Sequence, residues 1–280
     1  GSEMCIRDRV EISTEVTKED LVEAIEDEYG VKYSKDRKRL LKAPKYIKGE
    51  YHIRRGTICI CDDAFYYCTG LASVVIPGSV TEIEKWAFCG CTSLTSVVIP
   101  EGVTKIGESA FHGCTGLTSI VIPESVTKIG ECAFRGCTGL TSVVVPDGVT
   151  EIGWAAFRGC TSLTSVVIPD SVTEIGRGAF RGCTSLTSVV IPEGVTKIEC
   201  GAFRGCTSLT SVVIPEGVTK IGRGAFEGCA GVANISVSID NPSYVSINNS
   251  CLSKDLRKLI FGCRASIISE GVSMLSLIHI

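Results

Sequence analysis

Eight cysteines stand 23 residues apart along the chain, and a thiol can act as a nucleophile or as a metal ligand. They are Cys68, Cys91, Cys114, Cys137, Cys160, Cys183, Cys206 and Cys229. A zinc site needs four ligands that converge on one point, most often from Cys-x-x-Cys pairs, and the sequence contains no such pair. Cys59-x-Cys61 and Cys89-x-Cys91 have the wrong spacing. We therefore predict no bound metal and no cofactor.

Disulfide bonds along this cysteine series are equally unfavoured. If each cysteine occupies one unit of a stacked repeat, neighbours lie about 4.8 Å apart, the spacing of paired strands. That separation is within Cα reach of a disulfide, but parallel Cβ vectors do not suit the bond. We predict a column of buried, reduced thiols that act as small apolar side chains.

Other catalytic chemistry finds little support in the sequence. The histidines His52, His112 and His279 are scattered, so they build no Ser-His-Asp or Cys-His arrangement with the spacing of a known nucleophile. The chain has no phosphate-binding loop and no dinucleotide fingerprint. We therefore predict that this chain is not an enzyme.

The same period of 23 residues governs the elements that must position these side chains. Phenylalanine recurs at Phe65, Phe88, Phe111, Phe134, Phe157, Phe180, Phe203 and Phe226. Proline recurs at Pro77, Pro100, Pro123, Pro146, Pro169, Pro192 and Pro215. A period this short predicts one solenoid, in which each unit buries its apolar side only against its neighbours. The 280 residues therefore do not indicate two globular domains.

One unit, residues 94–114, predicts three short segments. Residues 96–99 are β-branched and stop at Pro100, which indicates a parallel strand with Val97 inward and Ser96 and Val98 on the other face. Residues 103–106 indicate a second short strand. The Ala-Phe pair and the Gly-Cys pair that follow predict a single helical turn, which directs Phe111 into the core.

The repeated phrase Leu-x-x-Val-x-Ile-Pro-x-x-Val-Thr-x-Ile-Gly-x-x-Ala-Phe-x-Gly-Cys-Thr resembles the BspA-like, or treponemal-type, leucine-rich repeats. The resemblance covers about residues 53–235 as tandem units and extends to the flanks at 33–44 and 240–255. It implies an α/β repeat solenoid, a right-handed array of short parallel strands with short second strands and helical turns. It also implies surface display and adhesion to proteins of a host or a neighbouring cell, including extracellular-matrix proteins.

The segments outside the regular units have separate predictions. Residues 10–50 predict a charged helix and lead-in, with Thr17 as the N-cap, Gly30 as the stop and a length of about three turns. This helix caps the first unit or, alternatively, binds a partner. Residues 51–235 are the tandem repeats, and residues 236–274 are an irregular longer unit and the start of a further repeat.

The two ends have an unusual relation to each other. Codons for residues 4–9 can be written so that their reverse complement translates as residues 275–280. We interpret residues 1–9 and 275–280 as tag and translated sequencing adapter, so the natural gene is expected to continue beyond both ends.

Two side-chain rows on the predicted surface are candidates for partner binding. The sheet face carries a serine and a valine from each unit, among them Ser96, Val98, Ser119, Val121, Ser142, Val144, Ser165 and Val167. The residue after the phenylalanine gives Arg135, Arg158, Arg181 and Arg204, reinforced by Arg177 and Arg223. Each row has a plain structural explanation as well, a sheet surface of small residues and a solvated charged face.

These features limit the classes of partner. The formal charge of −3 gives no global attraction to nucleic acid or to an anionic membrane, and the arginine row lacks interleaved aromatic residues. No apolar run approaches the roughly 18 residues of a membrane span. We predict a monomer that binds a protein through the sheet face, or an acidic protein or a polyanionic glycan through the arginines.

We predict a non-catalytic, macromolecule-binding fragment of an adhesin-like protein, displayed at the cell surface or secreted. The alternatives are a spacer array that presents a missing domain, or the repeat region of a truncated enzyme, and a cytoplasmic location.

Overall fold

The computed structural model describes residues 13–263, and they form a β-solenoid of about nine turns. All turns but the one at residues 188–190 contribute one strand to a first row, whose paired strands are parallel with a register offset of about one repeat. Ser96, for example, lies opposite Ser119, and Ser142 lies opposite Ser165. The first row consists of Lys48–His52, Gly70–Val75, Ser96–Val98, Ser119–Val121, Ser142–Val144, Ser165–Val167, Ser211–Ile214 and Asn234–Val237.

A second row of shorter strands runs along another side of the solenoid. Its members are Arg39–Lys42, Cys59–Ile60, Glu82–Ile83, Lys105–Ile106, Lys128–Ile129, Glu151–Ile152, Glu174–Ile175, Lys197–Ile198 and Lys220–Ile221. The pairing is parallel here too, with Ile106 opposite Ile129. Both predicted strands are therefore present, and the second is two residues long where the sequence predicted four.

The predicted inward and outward positions of the first row are correct. Val97 is 2% exposed and Val98 is 68% exposed, as the alternation of a strand requires. Pro100 follows the strand and has no N–H to extend the ladder, so the chain turns there. Val103 and Ile106 are fully buried, which brings both rows of strands onto one core.

The predicted helical turn around Phe111 is wrong. Amide hydrogen bonds alternate in this segment: Phe111 N–H donates to Ala133 on the next turn, at 2.8 Å, whereas His112 N–H donates to Ser109, at 3.1 Å. Ser109 has a φ of +54° and Gly113 a φ of +71°. Left-handed residues at this spacing prevent the i to i−4 bonding of an α-helix. The third side of each unit is thus a chain of tight turns that is hydrogen-bonded to its neighbours.

Phenylalanine rings from consecutive turns stack face to face through the core. Phe134 lies 5.4 Å from Phe111 and 5.3 Å from Phe157 between ring centroids, with interplanar angles of 4° and 7°. The rings from Phe88 to Phe203 are fully buried. Because the stack runs through the same hydrophobic cluster as the buried leucines, valines and isoleucines, one continuous core spans the array.

The N-terminal segment covers the first turn but is mostly not helical. The helix is Lys18–Val22, capped by Thr17 in a capping box with Asp20. The predicted length of three turns is therefore wrong. Strands Ile25–Glu26 and Lys32–Tyr33 follow as an antiparallel hairpin, because Gly30, with a φ of +78°, turns the chain.

At the other end, Tyr244–Ile247, Ser250–Ser253 and Leu259–Gly262 form an antiparallel sheet. Phe261 closes the aromatic stack, 4.5 Å from Phe226. The predicted restart at residues 268–272 and both predicted adapter segments lie outside the described residues. Across residues 13–263, no helix has the length and apolarity needed to cross a membrane.

Candidate binding surfaces

The valines of the first row form an exposed apolar stripe, which we call the valine face together with the serines beside them. Val98, Val121, Val144 and Val167 are between 56% and 68% exposed. Ser96 pairs with Ser119 and Ser142 with Ser165, so the structure places these predicted residues side by side. Val190 continues the stripe at 77% exposure, although its unit lacks a regular strand.

The hydroxyl groups along this face divide into two sets. Threonine hydroxyls stabilise the stack: Thr118 Oγ1 donates to the carbonyl of Thr95, and Thr141 Oγ1 donates to that of Thr118, both at 3.2 Å. In contrast, the hydroxyls of the predicted serines make no hydrogen bond to any group of residues 13–263; these serines are Ser96, Ser119, Ser142 and Ser165. The serine hydroxyls therefore remain available to a partner.

The arginine row lies on the turn side of the solenoid. Arg135 and Arg158 are half-buried, and Arg181 and Arg204 are exposed. Arg204 pairs with Glu227 at 2.9 Å, and within residues 13–263 no carboxylate lies in salt-bridge range of Arg158 or Arg181. Partial burial, and then the charges of Arg135 and Arg181, lower the pKa of Arg158. The row therefore retains uncompensated positive charge.

A groove that the sequence analysis did not find runs beside this row, with a volume of about 600 Å³. Its floor is Gly178, Gly201 and Gly224, each with a φ between +62° and +63°. Earlier turns carry a side chain at this position, including Trp86, Ser109, Cys132 and Ala155, also at positive φ. The switch to glycine two residues before the phenylalanine is visible in the sequence and was the available signal.

An acidic residue directly follows six of the repeated prolines, and this acidic row has a partly structural role; its members are Glu101, Glu124, Asp147, Asp170, Glu193 and Glu216. Glu124 accepts a hydrogen bond from the backbone N–H of Asp147, at 3.1 Å, and Glu193 accepts one from Glu216, at 3.2 Å. These carboxylates accept hydrogen bonds from the next turn. They therefore have less hydrogen-bonding capacity left for a partner than the arginines have.

The cysteine column is buried, as predicted, apart from the half-buried Cys229 at its end. Cys137 Sγ donates to the carbonyl of Phe111 at 3.1 Å, and the same bond recurs from turn to turn. Burial raises the pKa of Cys137 well above its ordinary value. These thiols are therefore poor nucleophiles. In the part of the chain that the structure describes, no three His, Cys, Asp or Glu side chains cluster so as to hold a metal ion.

The two described histidines lie far apart and have separate surroundings. His52 pairs with Glu50 at 2.6 Å on the first turn. Burial, and then the charge of Arg135, lower the pKa of His112. Within residues 13–263 neither histidine is hydrogen-bonded to a cysteine or a serine, so the structure forms no Cys-His or Ser-His arrangement there.

Stacked 23-residue turns with one short strand in each row define a leucine-rich repeat solenoid. The BspA type leucine rich repeat region model matches six copies, over residues 58–187 and 173–272, and the chain belongs to this family. No curated protein matches the chain.

Solved structures of bacterial leucine-rich repeat proteins share the fold. A leucine rich cell surface protein from Faecalibacterium prausnitzii is 33% identical, with a TM-score of 0.68, over 89% of this chain and 65% of that one. The T. pallidum leucine rich repeat protein is 29% identical, with a TM-score of 0.51, over 73% and 87%. A protein from Eubacterium ventriosum is 26% identical, with a TM-score of 0.54, over 74% and 50%. The chain thus spans less than two thirds of the Faecalibacterium protein.

Proposed function

We propose that this chain is a non-catalytic binding array of a bacterial cell-surface or secreted protein, and that it acts as a monomer in adhesion to a host or neighbouring-cell protein. The observation that carries the proposal is the valine face. Soluble monomers rarely expose contiguous apolar patches larger than a few hundred Å², and larger ones mark interaction sites. The cell-surface relative from Faecalibacterium prausnitzii supports the location.

The valine face suits a protein partner in particular. Its valines offer apolar area along the axis, and its serine hydroxyls offer hydrogen bonds at the same repeat. Both sets of side chains stand on strands, which hold them rigidly and so reduce the entropy that binding must overcome. An extended apolar segment of a matrix protein, lying across several turns, would bury both sets together.

The test replaces Val121, Val144 and Val167 together with serine. Burying one valine in an interface contributes about 1.5 kcal/mol or more, so the triple variant should bind a panel of immobilised matrix proteins at least about 100-fold more weakly. Stability should change by less than about 0.5 kcal/mol per site, because the positions are exposed. Surface plasmon resonance measures the affinity, and urea unfolding measures the stability.

The matched control replaces Val22 and Ile239 with serine, since both are more than 80% exposed and lie off the valine face. This control should bind like the parent chain. If the triple variant also binds like the parent, the valine face is not the binding surface. If the parent binds no matrix protein, the adhesive role is overturned in favour of a spacer array.

A further inference from the structure

The groove is rich in arginine on both sides. Arg158, Arg181 and Arg204 line one wall, and Arg177 and Arg223 line the other, with Cys200 between them. Glycine forms the floor, so the space between the walls is open. We call this site the arginine groove.

The side chains that line the arginine groove are strongly positive, although the net charge of the chain is −3. Glu227 is its one lining carboxylate among the described residues, and it is paired with Arg204 at the C-terminal end. Guanidinium groups hold carboxylates and sulfates through two parallel hydrogen bonds, with both charge and geometry matched. An anion that enters from solvent would relieve the repulsion between neighbouring arginines.

The groove also has a defined repeat along its length. The phenylalanines directly before the wall arginines advance by 5.4 Å per turn, measured between ring centroids from Phe157 to Phe180 and from Phe180 to Phe203. An extended peptide presents side chains on one face every second residue, about 6.7 Å apart, and so loses register within a few turns.

One aromatic side chain stands at the N-terminal end of the groove. Trp154 lines it and is 44% exposed, so part of its indole is accessible to a ligand. An indole face packs well against the C–H surface of a pyranose ring. Single-stranded nucleic acid needs a succession of such platforms, and among the described residues Trp154 is the one aromatic side chain that lines this groove.

We propose that the arginine groove binds a sulfated or carboxylated glycan chain, which lies along the solenoid axis with its anionic groups between the two arginine walls and its terminal ring on Trp154. This inference rests on the proposed binding function and extends it to a second surface with a different ligand. The groove and the valine face are separate, so a protein and a glycan can be bound together.

The first experiment removes the charge. Arg135, Arg158, Arg181 and Arg204 are replaced with serine, and the control replaces the exposed lysines Lys18, Lys45, Lys48 and Lys128 with serine. A size-defined heparin octasaccharide is the probe, and its affinity is measured calorimetrically at low salt. The arginine variant should lose at least 100-fold, and the lysine control less than threefold. Equal losses in the two variants would overturn the groove in favour of diffuse surface charge.

The second experiment fills the groove and leaves every charge in place. In Gly201→Trp, the new Cβ lies 3.7 Å from Arg204 Cβ, an ordinary contact, and Trp86 already places an indole at this position on its own turn. Ser109→Trp is the control, at the same position outside the groove. Thermal melting verifies that both fold. Gly201→Trp should weaken octasaccharide binding at least tenfold, and Ser109→Trp should leave it unchanged; unchanged binding in Gly201→Trp overturns the proposal.

Two further probes separate ligand classes and surfaces. A polyglutamate peptide or single-stranded DNA that binds as tightly as the octasaccharide, at equal charge and equal salt, overturns the assignment to a glycan. The triple serine variant of the valine face should retain full octasaccharide affinity. Loss of glycan binding with the arginine variants alone therefore distinguishes this site from the protein-binding role, and either can fail without the other.

Discussion

Raising the pH from 9 to 10 should destabilise the folded array by on the order of 8 kcal/mol through its cysteine column alone. Six of the seven fully buried thiols of the column have pKa values raised chiefly by burial. They are Cys68, Cys91, Cys114, Cys137, Cys160 and Cys183. The pKa rises to about 11 for Cys68 and about 12 for Cys183.

The sign of this effect follows from proton binding. An unfolded thiol ionises above about pH 8.5, whereas a buried thiol keeps its proton, so the folded state binds more protons above that pH. Stability is therefore complete below the unfolded pKa and falls as the pH rises toward the folded pKa. Each thiol contributes about 1.4 kcal/mol per pH unit over this interval, and the six contributions add along the column.

Urea unfolding at pH 8, 9 and 10, with reductant present, measures the slope. A variant with Cys114, Cys137 and Cys160 replaced by alanine is the control, because it removes half of the six thiols. Its stability at pH 8 will be lower, but its loss of stability between pH 9 and 10 should be about 4 kcal/mol smaller than that of the parent chain. An unchanged slope in this variant would show that the column does not carry the pH dependence.

Replacing Phe134 with alanine should cost about 4 kcal/mol of unfolding free energy. Phe134 is fully buried and stacks on Phe111 and Phe157, so the change removes both ring contacts and leaves a cavity between two turns. In a solenoid each unit contacts only its neighbours, so no distant part of the core refills that space. Urea unfolding at neutral pH provides the measurement.

Two matched variants make this prediction specific to the aromatic stack. Phe134→Leu keeps most of the volume and should cost less than about 2 kcal/mol. Trp154→Ala removes a larger ring from an exposed position and should cost less than about 1 kcal/mol. A loss below 2 kcal/mol for Phe134→Ala would contradict the view that the stack is the main axis of the core.

The sequence predicts the solenoid because the residues that recur every 23 positions allow few alternative structures. Pro100 has no N–H and therefore ends the strand, and the alternation along the strand assigns Val97 and Val98 to opposite faces. The buried cysteine column follows from the same period. The right hand of the coil is a prediction that rests on the family resemblance.

The misassigned elements share one physical cause, which is competition from hydrogen bonds between distant residues. Local composition around Phe111 suits a helical turn, but its N–H is bonded to Ala133 on the next turn. Likewise, Ile25 has helical spacing from Leu21, yet it pairs with Tyr33 in a hairpin. Tertiary pairing of this kind overrides local helical preference, and its partners are not apparent within a short window of sequence.

The arginine row was predictable from the sequence, but the groove beside it was not. A row of like charges in the sequence indicates only a charged face. To predict a groove, the sequence would also have to show which residues form the opposite wall and the floor. The floor depends on Gly178 and Gly201 standing where Ala155 stands one turn earlier, and the structure reveals that this position borders Arg181 and Arg204.

In our proposal, successive turns bind a ligand through the side-chain rows that they place side by side. Deleting one whole 23-residue unit tests it directly, because the register on both sides is preserved. Deletion of 161–183 removes Arg177, Arg181 and two carboxylates, which leaves the net charge unchanged. Deletion of 92–114 removes a unit of equal length with no groove arginine.

The decisive comparison is between the octasaccharide affinities of the two deletion variants. Calorimetry measures the affinities, and circular dichroism verifies that both variants fold. Both variants should fold with the same spectrum per residue. Deletion of 161–183 should weaken binding at least tenfold, and deletion of 92–114 should leave it within threefold of the parent chain. Equal affinities in the two folded variants would contradict the proposal.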